Sequence, residues 1–94
     1  MKKEKLLIFI ITYKAKKRVY DVFKKINFKK LRKYKTHLLI SDDFSNDSTV
    51  YYSKKILREF KSSKLVVNKN NLGYGGNIKK CLSYGIKNKF KYAI

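Results

Sequence analysis

The sequence predicts an α/β protein in which helices cover both faces of a mostly parallel β-sheet. Short apolar runs alternate with helical patterns in the order β-α-β-α-β-α-β along the 94 residues. Such alternation is typical of parallel strands joined by right-handed crossovers. The apolar runs are continuous, which indicates strands buried on both faces. The predicted architecture therefore has three layers, with the sheet between two layers of helices.

The first strand is predicted at residues 6–12, where aliphatic and β-branched residues follow one another without interruption. The helix after it is indicated by one periodic face. That face carries Val19, Val22, Phe23 and Ile26, at the spacing i, i+3, i+4, i+7.

A basic connector at residues 28–35 leads to a second buried strand, predicted at residues 37–41. Asp47 begins a short polar segment of the kind that caps a helix. The inner face of the helix that follows is predicted to consist of Tyr52, Ile56, Leu57 and Phe60.

The second half of the chain repeats the alternation. A third strand is predicted at residues 64–68, a glycine-rich loop at residues 70–77 and a fourth strand at residues 90–94. The third helix lies between that loop and the fourth strand. Its predicted inner face consists of Ile78, Cys81, Leu82 and Gly85.

The composition indicates one small, folded and strongly basic domain. Hydrophobic residues make up 44% of the chain, which supports a core and excludes a disordered protein. The formal net charge of +19 predicts attraction to anions such as nucleotides, acidic lipid surfaces and RNA. The single cysteine, Cys81, suits a reducing compartment, so we expect a cytoplasmic protein.

Neither targeting nor membrane insertion is indicated by the apolar segments. The run near the N-terminus is too short for a signal peptide, and no stretch approaches the roughly 20 apolar residues of a membrane span. The last residues lie inside an apolar run. We therefore expect residues 1–94 to be the N-terminal part of a longer protein.

Polar loops follow the first three predicted strands. They contain Thr12 and Tyr13, the pair Asp42 and Asp43, and residues 68–77. The carboxyl ends of parallel strands share one edge of the sheet, and open α/β folds bind their ligands at that edge. We therefore expect the three loops to form a single crevice.

The residue types in these loops suit a nucleotide. Tyr13 offers a ring on which a base can stack, and Asp42 or Asp43 can accept hydrogen bonds from an imide N–H of uracil or from ribose hydroxyls. The helix after the third loop begins with free N–H groups that favour an anion. The glycines that would allow a phosphate to approach the backbone closely are Gly73, Gly75 and Gly76.

Purely structural interpretations compete with these. The two aspartates could start a turn, and the glycines could form a flexible turn. The repulsion between adjacent carboxylates favours a functional role for the pair. We predict that Asp47 caps a helix, that His37 lies on the surface and that Cys81 lies in the core. The sequence contains no Ser-His-Asp set, zinc-ligand spacing, P-loop or dinucleotide fingerprint.

Three segments resemble the N-terminal part of a family 2 glycosyltransferase with the GT-A fold. Residues 9–15 are similar to the opening strand of that family, and residues 40–49 to its Asp-Asp-x-Ser-x-Asp-x-Thr signature. Residues 71–77 are similar to the Asn-x-Gly-x-Gly-Gly-Asn loop of polyprenyl-phosphate sugar synthase-like members. The resemblance implies the Rossmann-like nucleotide-binding half of a GT-A domain, truncated after the fourth strand.

The resemblance also implies a nucleotide-diphosphate sugar as donor and a lipid or glycan as acceptor. Tyr13 and the aspartate pair would hold the base and ribose, and the glycine-rich segment, with Lys80, would lie near the ribose or diphosphate. Lys14 stands where the family usually has Asn, which would alter contacts around the base. The substrate-binding residues expected on this basis are Thr12, Tyr13, Asp42, Asp43, Asn71, Gly73, Gly75, Gly76, Asn77 and Lys80.

The same resemblance places the Asp-x-Asp motif for Mg²⁺ or Mn²⁺, and the catalytic base, beyond Ile94. We therefore expect a divalent cation for the full-length parent, no metal ligands or catalytic residues in this chain, and no sugar transfer by these 94 residues alone.

Two other functions use the positive charge directly. A small nucleic-acid-binding protein would use the basic clusters at residues 14–18, 24–35 and 87–91 with interleaved aromatic residues. The lysines are spread along the chain as on solvated helix faces, and no nucleic-acid-binding signature occurs, so we regard this as the second choice. A domain held at a membrane surface by basic residues is compatible with a lipid acceptor.

Overall fold

A computed structural model describes residues 2–94 and confirms the α/β fold. Within these residues, four parallel strands form one sheet in the order β3-β2-β1-β4. A short 3₁₀ helix, Phe28–Leu31, lies in the basic connector. The elements in chain order are β1 (Glu4–Thr12), α1 (Lys17–Lys25), β2 (Tyr34–Asp42), α2 (Thr49–Glu59), β3 (Ser63–Val67), α3 (Gly73–Lys87) and β4 (Tyr92–Ala93).

The two central strands pair along their whole length, from Glu4 beside Tyr34 to Thr12 beside Asp42. Both strands begin two or three residues before the apolar runs that predicted them. Backbone hydrogen bonds continue the ladder there, although the side chains are polar, because each strand still has a partner for its N–H and C=O groups. The pairing brings Thr12 and Asp42 to the same level at the carboxyl edge.

Both faces of the sheet are covered, which accounts for the continuous apolar runs. Successive side chains of a strand point to opposite faces. One core lies under α1 and α2, and its buried members are Leu6, Ile8, Val19, Phe23, Leu38, Ile40 and Ile56. The other lies under α3 and contains Leu7, Leu39 and Cys81. The three layers and the core position of Cys81 are therefore confirmed.

The helices differ from their predicted inner faces in two respects. Val22 of α1 is 47% exposed and Leu82 of α3 is 43% exposed, so both helices bury a narrower stripe than the spacing indicated. In α2, Thr49 and Ser53 are buried together with Ile56. The Ser53 hydroxyl donates to the Thr49 carbonyl at 2.8 Å, which satisfies this buried polar group.

The predicted glycine-rich loop is only partly a loop. Helix α3 begins at Gly73, so Gly75, Gly76 and Asn77 belong to its first turns. Gly73 has φ +80°, a left-handed conformation that favours glycine. A Cβ at Gly76 would lie 3.1 Å from the Leu72 Cβ, whereas a Cβ at Gly75 would meet nothing within 4 Å.

The fourth strand is confirmed but is shorter than predicted. Backbone hydrogen bonds join the Phe9 N–H to the Ile94 carbonyl and the Ile94 N–H to the Leu7 carbonyl, both at 2.9 Å. These contacts set β4 at the edge of the sheet beside β1. Among residues 2–94, none of the helices combines the length and the apolar character that crossing a bilayer requires.

The prediction that His37 is a surface residue is wrong. His37 lies within β2, half-buried, and its ring stacks on Tyr84 and Phe90 at centroid distances of 6.1 and 5.8 Å. The Ser62 hydroxyl donates to the Thr36 carbonyl, so it accepts from His37 Nδ1 at 3.2 Å. In the neutral ring, His37 Nε2 then accepts from the Tyr84 hydroxyl at 3.1 Å.

We expect the stability of the protein to depend on pH through the protonation of His37. Burial, with the nearby Lys5 and Lys64 ammonium groups, lowers the pKa of His37. The unfolded chain therefore binds a proton more readily, and the free energy of unfolding should decrease as the pH falls below about 6.5. Urea denaturation at about pH 7.5 and about pH 5.5 measures this decrease. A His37→Gln variant should lose less stability over the same interval, and an unchanged pH dependence in that variant would contradict the assignment.

Candidate functional site

The three loops at the carboxyl edge form one cleft. Its volume is about 360 Å³, and it opens between the ends of β1 and β2 and the start of α3. The residues that line it are Ile11, Thr12, Tyr13, Asp43, Asn71, Gly73, Tyr74 and Asn77. Six of the ten residues predicted from the sequence are in this lining. The structure thus brings the first, second and third loops together as expected.

The structure separates the two adjacent aspartates. Asp42 is fully buried and does not line the cleft. Its Oδ1 accepts hydrogen bonds from the hydroxyls of Thr12 at 2.7 Å and Ser45 at 2.6 Å, and its Oδ2 accepts from the Ser45 N–H at 2.9 Å. This carboxylate fastens the end of β1 to the loop after β2. Its predicted contact with a ligand does not fit this position.

Asp43 lies on the cleft side and joins the second loop to the third. Its Oδ1 accepts from the Leu72 N–H at 2.8 Å and from Asn68 Nδ2 at 3.0 Å, and its Oδ2 accepts from the Gly73 N–H at 2.9 Å. The carboxylate therefore sits on the N-terminus of α3, where the helix dipole favours a negative charge. Because a carboxylate has about four acceptor positions, one remains on Oδ2 for a ligand.

The electrostatics keep Asp43 ionised. Burial raises the pKa of this carboxyl, but the hydrogen bonds from Leu72, Asn68 and Gly73 and the positive charge of Lys80 lower it more. The net pKa is below the ordinary value for Asp. The cleft thus holds a negatively charged acceptor at neutral pH, buried and oriented by the protein's own N–H donors.

Asn68 is a site residue that the sequence did not single out. Its Nδ2 also donates to Asn77 Oδ1 at 3.3 Å, and its Oδ1 accepts from Lys80 Nζ at 2.5 Å. Asn77 is buried and exchanges hydrogen bonds with the Ser41 hydroxyl and carbonyl. Lys80 therefore stands behind Asp43 and not in the cleft lining. The only signal in the sequence was the place of Asn68 at the end of a predicted strand.

Loops one and two are tied by hydrogen bonds from backbone to side chain. The Lys14 N–H donates to Ser45 Oγ at 2.7 Å, and the Lys16 N–H donates to Thr49 Oγ1 at 2.8 Å. Lys14 and Lys16 have left-handed φ values of 53° and 55°, which these contacts hold in place. Asp47 Oδ1 accepts from the Thr49 N–H, the first N–H of α2, at 2.8 Å, although the N-cap position itself is Ser48. The predicted capping by Asp47 is therefore confirmed only in part.

Two exposed tyrosines flank the cleft. Tyr13 is 51% exposed and Tyr74 is 77% exposed, and both aromatic rings line the cavity. Tyr74 was missed by the sequence analysis, because in a chain with 8 tyrosines nothing distinguished it. Gly75 and Gly76 are absent from the lining, which contains Gly73.

The carboxylates present do not suit a divalent cation. Mg²⁺ and Mn²⁺ need several oxygen ligands that are free to coordinate. The Asp42 and Asp43 oxygens already accept three hydrogen bonds each. Among residues 2–94, no three His, Cys, Asp or Glu side chains lie close enough to hold a metal ion.

The buried Asp42 network is testable by substitution. Asp42→Ala leaves the Thr12 hydroxyl and the Ser45 N–H without an acceptor in the core, and the free energy of unfolding should fall by about 3 kcal/mol. Chemical denaturation at neutral pH measures the change. Asp47→Ala removes a single acceptor at the partly buried start of α2 and should cost clearly less. Equal losses in the two variants would contradict the role given to Asp42.

Comparison with known proteins assigns the chain to a family. The family model described as glycosyl transferase family 2 matches residues 7–86, from β1 almost to the end of α3. No curated protein shows significant similarity to the chain. The matched span covers most of the chain and contains every residue that lines the cleft. The chain therefore belongs to glycosyl transferase family 2.

Proposed function

We propose that the cleft at the carboxyl edge binds the nucleotide part of a nucleotide-diphosphate sugar. In this proposal the chain supplies the donor-binding part of a glycosyltransferase whose acceptor is a lipid or a glycan. One observation carries the proposal. In a member of this family, an exposed aromatic ring and a buried ionised carboxylate with one free acceptor position line the same cleft.

The base is the part of the donor that the cleft suits best. Tyr13 presents its ring to solvent beside Asp43, and stacking of a base on such a ring contributes about 1–3 kcal/mol. The free acceptor position of Asp43 can receive an imide N–H of a base or a ribose hydroxyl. Asn71 holds this geometry from the other side, since its Nδ2 donates to the Asp43 carbonyl at 3.3 Å and its Oδ1 accepts from the Gly73 N–H at 2.9 Å.

The diphosphate is not expected on the first N–H groups of α3. The Leu72 and Gly73 N–H groups already donate to Asp43, and a phosphate there would face that carboxylate. The sequence interpretation, which gave the helix N-terminus to a phosphate, is therefore revised in this proposal. Gly73 instead permits close approach of the ribose, and Asp42 and Lys80 support the cleft without touching the donor.

The rest of the reaction is assigned to other parts of the enzyme. A divalent cation for the leaving diphosphate would need carboxylates other than Asp42 and Asp43. Residues 71–77, with their Asn-x-Gly-x-Gly-Gly-Asn pattern, support a polyprenyl-phosphate sugar synthase-like enzyme. The lipid acceptor of such an enzyme is consistent with a cytoplasmic domain that associates with a membrane surface through its basic charge.

We expect selective binding of a nucleoside diphosphate at this cleft. In an NMR titration with UDP or GDP at about 150 mM salt, amide shifts should concentrate at Tyr13, Asp43 and Gly73. Tyr13→Ala should weaken the binding by about tenfold, since it removes the stacking surface. Tyr51→Ala is the matched control, because Tyr51 is an exposed tyrosine of α2 outside the cleft lining.

Two outcomes would contradict this assignment. Equal weakening by the two tyrosine variants would show that the ring in the cleft has no special role. Binding of generic RNA with a steep salt dependence, without nucleotide selectivity, would favour the nucleic-acid-binding alternative.

We also expect binding without turnover. Neither Asp42 nor Asp43 is free to hold a divalent cation, so these 94 residues should bind a nucleotide sugar and leave it intact. Incubation with a panel of UDP- and GDP-sugars in the presence of Mg²⁺ or Mn²⁺, followed by measurement of released nucleotide, tests this. Release of nucleotide above the level of a Tyr13→Ala, Asp43→Asn double variant would contradict it.

A further inference from the structure

A second cleft lies at the opposite, amino edge of the sheet. One cavity of about 250 Å³ lies beyond the C-terminus of α3, and its lining consists of Lys5, Lys35, Thr36, His37, Ser62, Tyr84, Asn88 and Phe90. An adjoining open cavity shares Lys5 and Lys35 and is lined by them with Lys2, Lys3 and Tyr34. We call these two cavities together the amino-end basic cleft.

The charges of this cleft are of one sign. Lys5 of β1 and Lys35 of β2 are register partners, so the two side chains leave the same face of the sheet beside each other. Like charges at neighbouring cross-strand positions are destabilising. Within residues 2–94, no Asp or Glu is part of either lining. Glu4, the neighbour of Lys5, forms an ion pair with Lys91 at 2.6 Å.

Aromatic rings and a helix end position the ammonium groups. Lys5 Nζ lies 4.4 Å from the centroid of Phe90 and donates to the Asn88 carbonyl at 2.5 Å, just after the end of α3. Lys64 Nζ lies 5.6 Å from the centroid of Tyr84, which is part of the lining. Lys35 forms no side-chain hydrogen bond or ion pair with any residue that the structure describes. Lys5 is thus held at the cavity, and the ammonium groups of Lys5 and Lys35 both have hydrogen-bond donors to spare.

Stacked rings with hydroxyl groups at their edges form the floor of the cavity. His37, Tyr84 and Phe90 stack on one another, and the hydroxyls of Ser62 and Tyr84 engage both ring nitrogens of His37. The cavity beside His37, at about 250 Å³, is slightly smaller than the roughly 300–1,000 Å³ that is common for ligand cavities. This part of the cleft suits a compact charged group.

We propose that the amino-end basic cleft binds phosphate groups, either of a small soluble ligand or of the head group of an anionic lipid. Lys5 and Lys35 neutralise the phosphate and are relieved of their mutual repulsion when it binds. The cleft lies at the end of the strands opposite to the nucleotide cleft. The proposal is therefore independent of the proposed donor site.

Inorganic pyrophosphate is the probe for a small soluble ligand. At about 150 mM salt, amide shifts in the unmodified chain should concentrate at His37, Tyr84 and Asn88. The double variant Lys5→Gln, Lys35→Gln should bind pyrophosphate about tenfold more weakly. Lys35→Gln alone should weaken pyrophosphate binding by a smaller factor. This single variant is the one least expected to disturb the fold, because Lys35 forms no side-chain hydrogen bond or ion pair with the described residues.

A matched control separates a site from the general charge of the chain. The double variant Lys25→Gln, Lys54→Gln removes the same charge from exposed positions of α1 and α2, on the other side of the sheet. It should change pyrophosphate binding by less than about twofold. Equal weakening by the two double variants, or shifts spread over α1 and α2, would overturn the proposal.

Vesicles distinguish the two sources of phosphate. Cosedimentation with phosphatidylglycerol vesicles, with phosphatidylcholine vesicles as reference, tests binding to the head group of an anionic lipid. Binding that depends on Lys5 and Lys35 in the vesicle assay alone assigns the cleft to a lipid head group, and dependence in the pyrophosphate titration alone assigns it to a soluble ligand. Independence of both lysines in both assays overturns the proposal.

Discussion

The buried carboxylate of Asp42 is the contact on which the carboxyl edge of the sheet depends. A charge without access to water is tolerable only when hydrogen-bond donors surround it. Here the donors are the hydroxyl of Thr12 and the N–H and hydroxyl of Ser45. Thr12 ends β1, and Ser45 lies in the loop after β2. The same Ser45 hydroxyl accepts from the Lys14 N–H, so one carboxylate fixes the ends of two strands and the loop after each.

The signature Asp-Asp-x-Ser-x-Asp-x-Thr has a physical explanation in these contacts. Ser45 and Thr49 accept from backbone N–H groups of the first loop, and Asp47 accepts from the first N–H of α2. Asp43 reaches the third loop through Leu72 and Gly73. The main role of this segment is therefore to hold three loops together around a cleft. Of the residues in this signature, Asp43 is the one that lines the cleft.

Helix α3 runs antiparallel to the strands, so its two ends lie at opposite edges of the sheet. Its N-terminus lies at the carboxyl edge, where the positive end of the helix dipole meets Asp43. Its C-terminus lies at the amino edge, where the Asn88 carbonyl accepts from Lys5. The cleft lined by Asp43 and the amino-end basic cleft therefore lie beyond opposite ends of α3.

Local sequence patterns determined the kinds of element, their order and the meeting of three loops at one edge. Apolar runs and helical spacing depend on neighbouring residues alone, and parallel strands share a direction, so these features follow without coordinates. The half-buried position of His37, the partners of Asn68 and the exposure of Tyr74 depend on residues 9 to 47 positions away along the chain. Which of two adjacent aspartates faces the cleft was likewise decided only by tertiary structure. Adjacent side chains at a strand end point to opposite faces, and because both faces of β2 are apolar and covered, the sequence could not say which face α3 would occupy.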